Sequence, residues 1–404
     1  MIWLSKLIIL LVALLLPGIC LAANAVPGYK SGHPVVYAIT PLGGTPLGDP
    51  EAETGATAFE PQVLSSLSAC EALSDNTPWV TAGTSVFCMP CDEAGKAWSS
   101  GVSDTTATIF AELQTSVTSF VGVMPEALAY PDFSGGGFDS AAYIISSTAS
   151  DVIAEDNTAG VALYFEGIQI VGYSAGDDLF WSRTNSPARI ELKNMYLAGN
   201  GGTGDRGVFY SVADETGELY IWNSVVSGYK LSNGIESDDA GVTVVHCAVM
   251  GSAEDGLDSA ANDIFVYNTV IFNTVDDFQD TFAVNTNNAS DDNEGVNPQN
   301  LNENAGGEWT AAFEDWANDD FRAKAGGLLE NTGTGGISWT TLMGDTDPLA
   351  TDMAGTARSG VSPEIGPFEI TAAATSENAQ NTGGFLIKNS DYQKRFPDFR
   401  KIVR

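Results

Sequence analysis

Four segments of the chain align without gaps: Ile190-Glu-Leu-Lys-Asn194, Leu219-Tyr-Ile-Trp-Asn223, Val242-Thr-Val-Val-His246 and Ile264-Phe-Val-Tyr-Asn268. Apolar residues alternate with variable ones in each segment, as in a β-strand with one buried face. Leu163-Tyr-Phe-Glu-Gly167 fits ahead of them, with glycine in the last place. The last residues of successive segments are 27, 29, 23 and 22 positions apart, about the length of one coil of a β-solenoid.

Two further strands are predicted in each coil. The second follows the corner directly, at 195–197, 224–226, 247–249 and 269–271, and the third comes after the next turn, at 207–211, 234–237, 256–259 and 278–281. Three strands per coil predict an all-β protein, a right-handed parallel β-helix, which we place at residues 136–370.

The last column of the alignment contains Asn194, Asn223, His246 and Asn268. Asparagines stacked at a corner can bond to the backbone and to each other, so we expect an asparagine ladder here. We interpret His246 as a stacked member of the ladder rather than a catalytic residue, because no nucleophile is placed beside it.

The coils resemble the pectate-lyase-like superfamily of right-handed parallel β-helices, which includes pectate lyases, polygalacturonases and many viral and bacterial surface proteins. The likeness covers roughly residues 140–370. Asp320-Phe-Arg322 and Ile365-Gly-Pro-Phe-Glu369 are similar to the closing segments of uncharacterised exported members. The resemblance implies the fold, but the same scaffold carries lyases, hydrolases, adhesins and tail spikes.

The ends of the chain predict an exported protein. Residues 1–25 have the lysine, the apolar run and the small residues of a signal peptide, so we expect a secreted or periplasmic protein without a transmembrane segment in the mature chain. Residues 26–135 are expected to form an irregular region. It includes a capping helix that begins near Thr106, after Ser103-Asp104-Thr105. Residues 371–404 are expected to form a flexible basic tail.

The formal net charge of −35 makes nucleic acid an unsuitable partner and predicts uptake of divalent cations. Four cysteines follow the signal peptide. We expect a disulfide among Cys70, Cys88 and Cys91, with the pairing left open. Cys247 is predicted to be a buried apolar residue.

The third strands carry acidic residues that repeat at an offset of 22. One predicted column is Asn233, Asp255 and Asp277, and the other is Glu236, Asp258 and Asp280. We interpret the first column mainly as turn residues. For the second, a solvated acidic face, a Ca²⁺ site and a catalytic carboxylate pair remain open. The candidate Ca²⁺ ligands are Glu236, Asp255, Asp258, Asp277 and Asp280.

Catalysis by a lyase would require a basic residue, and Lys230 is the candidate in the coil of Glu236, with Arg206 one coil earlier. The polygalacturonase signatures Asn-Thr-Asp, Gly-His-Gly and Arg-Ile-Lys do not occur in the chain. The candidate catalytic residues are therefore Glu236, Asp258, Asp280 and Lys230.

Outward positions of the first strands carry aromatic residues, which predict either a packing surface or a glycan platform: Tyr164, Tyr220, Trp222, Phe265 and Tyr267. The sequence predicts a protein that binds a polysaccharide or cell-surface glycan, an acidic one with Ca²⁺ assistance, and self-association through the aromatic surface is a further expectation. If it is an enzyme, it is a polysaccharide lyase or a glycoside hydrolase. The alternative is a non-catalytic surface, adhesin or virion fibre protein.

Overall fold

The computed structural model describes residues 35–43, 46, 58–59, 64–74, 85–93, 95–98, 102–110, 120–147, 151–155, 162–172, 178–184, 189–199, 206–212, 217–231, 233–238, 241–252, 254–260, 263–272, 274–291, 294–301 and 311–370. The predicted signal peptide and the predicted basic tail lie outside these residues.

Most described strands belong to three parallel sheets that enclose one apolar core. We name them sheets A, B and C, in the order in which the chain visits them. One coil runs from Arg189–Lys193 in sheet A through Tyr196–Ala198 in sheet B to Val208–Val212 in sheet C. The chain then returns to sheet A at Glu218–Trp222, which pairs in parallel with the strand one coil earlier. The fold is the right-handed parallel β-helix that the sequence predicts.

The described strands of sheet A are Val35–Ile39, Ala58–Phe59, Val86–Pro90, Val121–Val123, Ala162–Glu166, Arg189–Lys193, Glu218–Trp222, Gly241–Val245, Ile264–Tyr267 and Val284–Thr286. Those of sheet B are Ile144–Ser147, Gln169–Gly172, Tyr196–Ala198, Val225–Leu231, Ala248–Ser252, Val270–Phe272, Ala289–Ser290 and Gln299–Asn300. Those of sheet C are Thr108–Phe110, Asp151–Glu155, Asp178–Thr184, Val208–Val212, Ile235–Asp238, Asp255–Ser259 and Asp276–Asp280. The other described elements are the helix Leu67–Ser74, the 3₁₀ turns Phe133–Gly135 and Trp316–Asn318, and the antiparallel strands Phe313–Asp315 and Asp320–Ala323.

The predicted register of sheet A is confirmed. Ile190 pairs with Leu219, Leu219 pairs with Val242, and Val242 pairs with Ile264. These side chains are fully buried in the common core. The predicted second and third strands also begin within two residues of the observed ones. Alternating apolar residues therefore determine which side of each strand faces the core.

The corner between sheets A and B has a left-handed backbone conformation in successive coils. The residues with this conformation and their φ angles are Gly167 (66°), Asn194 (52°), Asn223 (49°), His246 (52°), Asn268 (49°) and Asn287 (54°). Glycine and asparagine adopt it at lower cost than other residues. The backbone geometry thus explains the last column of the repeat and confirms His246 as a ladder residue.

The corner asparagines bind the C-terminal strap, which we define as residues 329–370. Asn223 donates from Nδ2 to the carbonyl oxygen of Thr351 at 2.8 Å. Asn268 donates from Nδ2 to the carbonyl oxygen of Thr334 at 2.8 Å and accepts at Oδ1 from the Thr334 N–H at 2.7 Å. The expected bonds from side chain to backbone are present, and the backbone belongs to the strap.

A buried ion pair also fixes the strap. Arg358 contacts Glu369, with 2.6 Å between Nη1 and Oε1, and it donates from Nη2 to Oδ1 of Asn223 at 2.9 Å. The backbone N–H of Glu369 donates to Asp352 Oδ2 at 2.8 Å. Because both charges of the pair are buried, removing one would leave the other without compensation. The strap is therefore an integral part of the β-helix.

The N-terminal region differs from the irregular region expected at 26–135. Its strands Val35–Ile39, Val86–Pro90 and Val121–Val123 join sheet A, so the sheets begin well before residue 136. The helix predicted near Thr106 is wrong in position. Thr108–Phe110 is a strand of sheet C, and the helix is Leu67–Ser74.

Asp104 explains part of this error. Its carboxylate does cap the N-terminus of a helix, but that helix is Leu67–Ser74 and not the segment that follows Asp104. Its Oδ2 accepts from the backbone N–H of Leu67 at 2.7 Å and from the Tyr143 hydroxyl at 3.1 Å. Its Oδ1 accepts from the backbone N–H of Thr106 at 3.0 Å. The local Ser-Asp-Thr signal therefore has a long-range partner.

The predicted disulfide is present, and the structure identifies its two cysteines. Cys70 of the helix forms a disulfide with Cys88 of the adjacent strand, and their Cα atoms are 6.0 Å apart. Cys91 and Cys247 are buried and do not belong to this disulfide. Cys247 lies in the core cluster, as predicted. Within the described ranges, no helix combines the length and apolar character needed to cross a membrane.

Replacing Asn268 tests the role of the corner. Asn268→Ala removes two hydrogen bonds to the strap and places a Cβ-bearing residue without a polar side chain at φ 49°. We expect it to lower the free energy of unfolding by about 2–3 kcal/mol. Asn268→Gly keeps the backbone conformation accessible, so its loss should be smaller. Both are measured by thermal and denaturant unfolding.

The control is Asn297→Ala, since Asn297 has φ 53° and an exposed side chain. It should report the backbone contribution alone, about 1 kcal/mol. Equal losses for Asn268→Ala and Asn297→Ala would show that the bonds to the strap contribute nothing.

Candidate functional site

The strap covers two members of the outward aromatic row of sheet A, Tyr220 and Trp222. Trp339 stacks on Tyr220, with ring centroids 5.2 Å apart and planes 20° apart, and it meets Trp222 edge to face at 5.1 Å. Trp222 is fully buried, and Tyr164 is buried as well. The glycan platform is therefore wrong for these two residues, and packing within the same chain replaces it.

Three members of the predicted aromatic row are not fully buried: Tyr220, on which Trp339 stacks, Phe265 and Tyr267. Phe265 is 38% exposed and Tyr267 is partly buried. Glu191, on the same face, is fully buried, and both of its carboxylate oxygens accept from the Leu342 N–H of the strap, at 3.0 and 2.9 Å. Burial raises the pKa of Glu191 to about 7, against the opposing effects of that N–H and of Arg189.

Sheet C presents two outward columns of side chains. The core positions are Phe180, Val208, Ile235, Leu257 and Phe278, which pair from coil to coil. The residues that follow them form the central column: Trp181, Phe209, Glu236, Asp258 and Gln279. The residues two places before them form the edge column: Asp178, Arg206, Asn233, Asp255 and Asp276. Glu236 and Asp258 are therefore neighbours on adjacent coils.

The predicted alignment of the last coil is wrong by one residue. Asp258 pairs with Gln279, and Asp280 pairs with Ser259, so Asp280 is not in the column of Glu236. Asp255 pairs with Asp276 instead of Asp277. An offset of 22 from Leu257 would place the polar Gln279 in the core. The observed offset is 21, from Leu257 to Phe278, and it places the apolar Phe278 in the core instead.

Arg206 joins the two columns. It binds Asp178 through two nitrogens, Nε to Oδ1 at 2.9 Å and Nη2 to Oδ2 at 2.8 Å, and it donates from Nη1 to Glu236 Oε1 at 3.1 Å. Its guanidinium lies 3.7 Å from the ring centroid of Phe209. Burial alone would lower the pKa of Arg206, but Asp178 and Glu236 together raise it above its usual value. Arg206 is therefore a permanent cation here and not a base.

Asn233 joins the carboxylates of adjacent coils. Its Nδ2 donates to Glu236 Oε2 at 2.8 Å and to Asp258 Oδ2 at 3.1 Å. Because one nitrogen reaches both oxygens, the two oxygens are at most about 6 Å apart, a limit that includes the carboxyl separation of about 5–5.5 Å in retaining glycosidases. Asn233 was interpreted as a turn residue, and this contact assigns it a further role.

Two carboxyl groups on the acidic part of the face, Asp258 and Asp255, have raised pKa values. Burial, followed by the charges of Glu236 and Asp280, raises the pKa of Asp258. Burial, followed by Asp258 and Asp276, raises the pKa of Asp255 to about 6. Carboxyl groups with raised pKa values are candidates for proton donors near neutral pH.

Asp277 does not belong to this surface. It is buried, and its carboxylate accepts from the Thr274 hydroxyl at 2.7 Å and from the backbone N–H of Asp291 at 2.9 Å. Burial, with a contribution from Asp291, raises the pKa of Asp277 to about 9. The prediction that Asp277 lies in an outward column is therefore wrong, and its buried carboxylate makes structural contacts. Asp280, in contrast, is exposed.

The residues proposed for Ca²⁺ do not form a ready metal site. Within the described ranges, no three or more His, Cys, Asp or Glu side chains are grouped so that they could hold a metal ion. Glu236 already accepts hydrogen bonds at both oxygens, from Arg206 and Asn233. Lys230, placed by the sequence in a loop, belongs to the strand Val225–Leu231, and its side chain is outside what the structure describes.

The sequence analysis identified Glu236 and Asp258, and it named Arg206 and Asn233 in other roles, but it missed Asp178 and Trp181. Asp178 and Trp181 were not considered, because the coil that contains them was not included in the alignment. Asp178 stands two residues before the core residue Phe180, as Arg206 stands two before Val208, and Trp181 follows Phe180 as Phe209 follows Val208. Extending the register by one coil would therefore have found both.

No family model matches the chain, and no curated protein matches it. A crystal structure of pectate lyase Pel9A is similar in fold. The match covers 87% of this chain and 100% of that chain, at 12% sequence identity and a TM-score of 0.34. The description of the fold and of the site rests on the chain's own sheets and contacts.

The raised pKa of Asp255 predicts a pH dependence of stability. A carboxyl with a folded-state pKa of about 6, above its ordinary value of 3.8, favours folding at low pH, and that contribution is lost as the pH rises through 6. Asp255→Asn should therefore raise the melting temperature relative to the parent by about 1–3 °C at pH 7.5 and by less at pH 4. Added salt should reduce the gain.

Glu314→Gln is the control, because Glu314 is exposed and lies outside sheet C. A gain from Asp255→Asn that is the same at pH 4 and pH 7.5 would contradict the electrostatic explanation.

Proposed function

We propose that the chain is an exported β-helix protein that binds a polysaccharide along the outward face of sheet C and hydrolyses it with Glu236 and Asp258. The observation that carries the proposal is the Asn233 amide, which donates to both carboxylates from adjacent coils. Two carboxyl groups bridged by one amide nitrogen are close enough for the arrangement of a retaining glycoside hydrolase.

The surroundings of the two groups support different roles for them. Asp258 has a raised pKa, which suits a general acid that gives its proton to the glycosidic oxygen. Arg206 and Asn233 fix the orientation of the Glu236 carboxylate, which suits the nucleophile. Glu236 would attack the anomeric carbon as the bond to the leaving sugar breaks. Asp258, now ionised, would then take a proton from the water that releases the sugar.

A lyase mechanism has less support. It requires a base that removes the proton beside a uronate carboxyl group. Arg206 has a raised pKa and is held by Asp178 and Glu236, so it is unsuited to that role. The lyase version of the proposal would depend on Lys230.

Calcium enters the proposal only for acidic substrates. Asp255, Asp258 and Asp280 make the face acidic, and burial, followed by the charges of Asp258 and other acidic neighbours, raises the pKa of Asp255 to about 6. An anionic glycan would therefore need a divalent cation between its carboxylates and the protein, whereas a neutral glycan would not. In this form Ca²⁺ arrives with the substrate and is not a resident cofactor.

The alternative is a non-catalytic surface, adhesin or virion fibre protein. Its main support in the sequence is the aromatic row on sheet A, but Trp339 of the strap packs against Tyr220 and Trp222 of that row. The alternative therefore relies on the stiffness of the β-helix, together with Phe265 and Tyr267. Self-association through these two residues stays a part of it.

A polysaccharide panel tests the proposed hydrolysis. The parent protein should release reducing ends from at least one polysaccharide, and Glu236→Gln and Asp258→Asn should each reduce that rate by about 100-fold or more. Glu314→Gln serves as the matched control and should retain the parent rate. Circular dichroism and melting curves verify that the variants fold.

No release of reducing or unsaturated sugar from a broad panel, with Ca²⁺ present, would eliminate the enzyme and favour the structural alternative. Unsaturated products would indicate a lyase.

A separate measurement tests calcium. Binding of acidic polysaccharides should strengthen with millimolar Ca²⁺ and weaken with chelator, whereas binding of neutral polysaccharides should not respond, because only the former must overcome the acidic face. Asp258→Asn and Asp255→Asn should reduce the dependence on Ca²⁺. Calorimetry gives both affinities, and equal affinity for acidic glycans with Ca²⁺ and with chelator would refute the role of calcium.

A further inference from the structure

The central column of sheet C extends beyond the two carboxylates in both directions. On one side Phe209 pairs with Glu236, and Trp181 pairs with Phe209. On the other side Gln279 pairs with Asp258. Five successive coils thus present side chains in one line along the axis of the β-helix.

The accessible aromatic surface of this line is at Trp181. Phe209 is only 8% exposed, and the guanidinium of Arg206 covers its ring at 3.7 Å. Trp181 is partly exposed. Its neighbour in sequence, Phe180, fills the core position, so the indole is on the outward side of the strand.

The spacing along the line suits an extended polysaccharide. Adjacent coils are about 4.8 Å apart, so Trp181, two coils from Glu236, lies about 10 Å from it along the axis. One coil is close to the length of one sugar residue in an extended chain. A polysaccharide cleaved at Glu236 and Asp258 would place a sugar about two residues away over Trp181.

We propose that Trp181 forms a remote sugar-binding subsite, which stacks the apolar face of a pyranose ring and sets the minimum length of a good substrate. This inference rests on the proposed function of Glu236 and Asp258. Large aromatic side chains bind flat apolar surfaces at little entropic cost, and binding energy from a remote part of the substrate can be used at the reacting bond. Trp181 acts here as a specificity-determining residue, not a catalytic one.

Oligosaccharides of increasing length, prepared from the best polysaccharide of the panel, test the subsite. For the parent, kcat/KM should rise once an oligosaccharide is long enough to reach Trp181. Trp181→Ala should lower kcat/KM for these longer substrates by about 10-fold and leave the shorter ones within about 2-fold. Trp181→Phe should retain most of the length dependence, and Phe265→Ala, an exposed aromatic on sheet A, should retain all of it.

The same variants are then compared for binding, in the background of Glu236→Gln. Calorimetry should show that Trp181→Ala weakens long oligosaccharides and not short ones. An equal loss for short and long substrates, or no loss for either, would overturn the subsite. If the parent protein hydrolyses no polysaccharide but Trp181→Ala still weakens the binding of long oligosaccharides, the catalytic proposal is overturned and the subsite is retained.

Discussion

The left-handed corner between sheets A and B is the constraint on which the rest of the structure depends. A residue with φ between 49° and 66° recurs in six successive coils, from Gly167 to Asn287, so the chain turns at the same place in each of them, and the strands on either side stack in register. Asparagine satisfies the backbone, and at Asn223, Asn268 and Asn287 its amide also binds the strap. One requirement therefore organises both the coils and the segment that covers them.

The two outward surfaces of the β-helix have different fates. On sheet A, Trp339 of the strap covers Tyr220 and Trp222, and Leu342 covers Glu191. On sheet C, Arg206 and Asn233 join the side chains of neighbouring coils, and Glu236 and Asp258 stay partly accessible. The covered face contributes stability through apolar burial, whereas the open face holds Asp255 and Asp258, whose pKa values are raised by partial burial and then by neighbouring charges. The open face is therefore the natural location for chemistry.

The sequence predicted the coils well because alternation and corner residues are local signals. Ile190, Leu219, Val242 and Ile264 gave the correct register, and the corner column gave the correct turn. The errors came where a long-range contact or an apolar residue decided the outcome. Asp104 serves a helix that begins 37 residues earlier, and Phe278 shifts the last coil by one residue.

The candidate site was predicted only in part for the same reason. Glu236 and Asp258 followed from the repeat, but the bonds from Arg206 and Asn233 depend on side-chain geometry that spacing does not encode. The burial of Trp222 depends on Trp339, more than 100 residues later and outside the repeat. No periodicity in the coils indicates that such a segment will return.

The strap has a consequence for the making of the protein. A nascent or translocating chain presents its N-terminal residues first, so the coils can stack before residues 329–370 are available. Until then, Trp222 and Tyr220 would face solvent, and the corner amides of Asn223 and Asn268 would lack their partners in the strap. A product truncated before Thr332 would thus display a continuous apolar stripe and would tend to aggregate. Because the covering segment is synthesised last, we expect this aromatic surface to stay exposed until the chain is nearly complete.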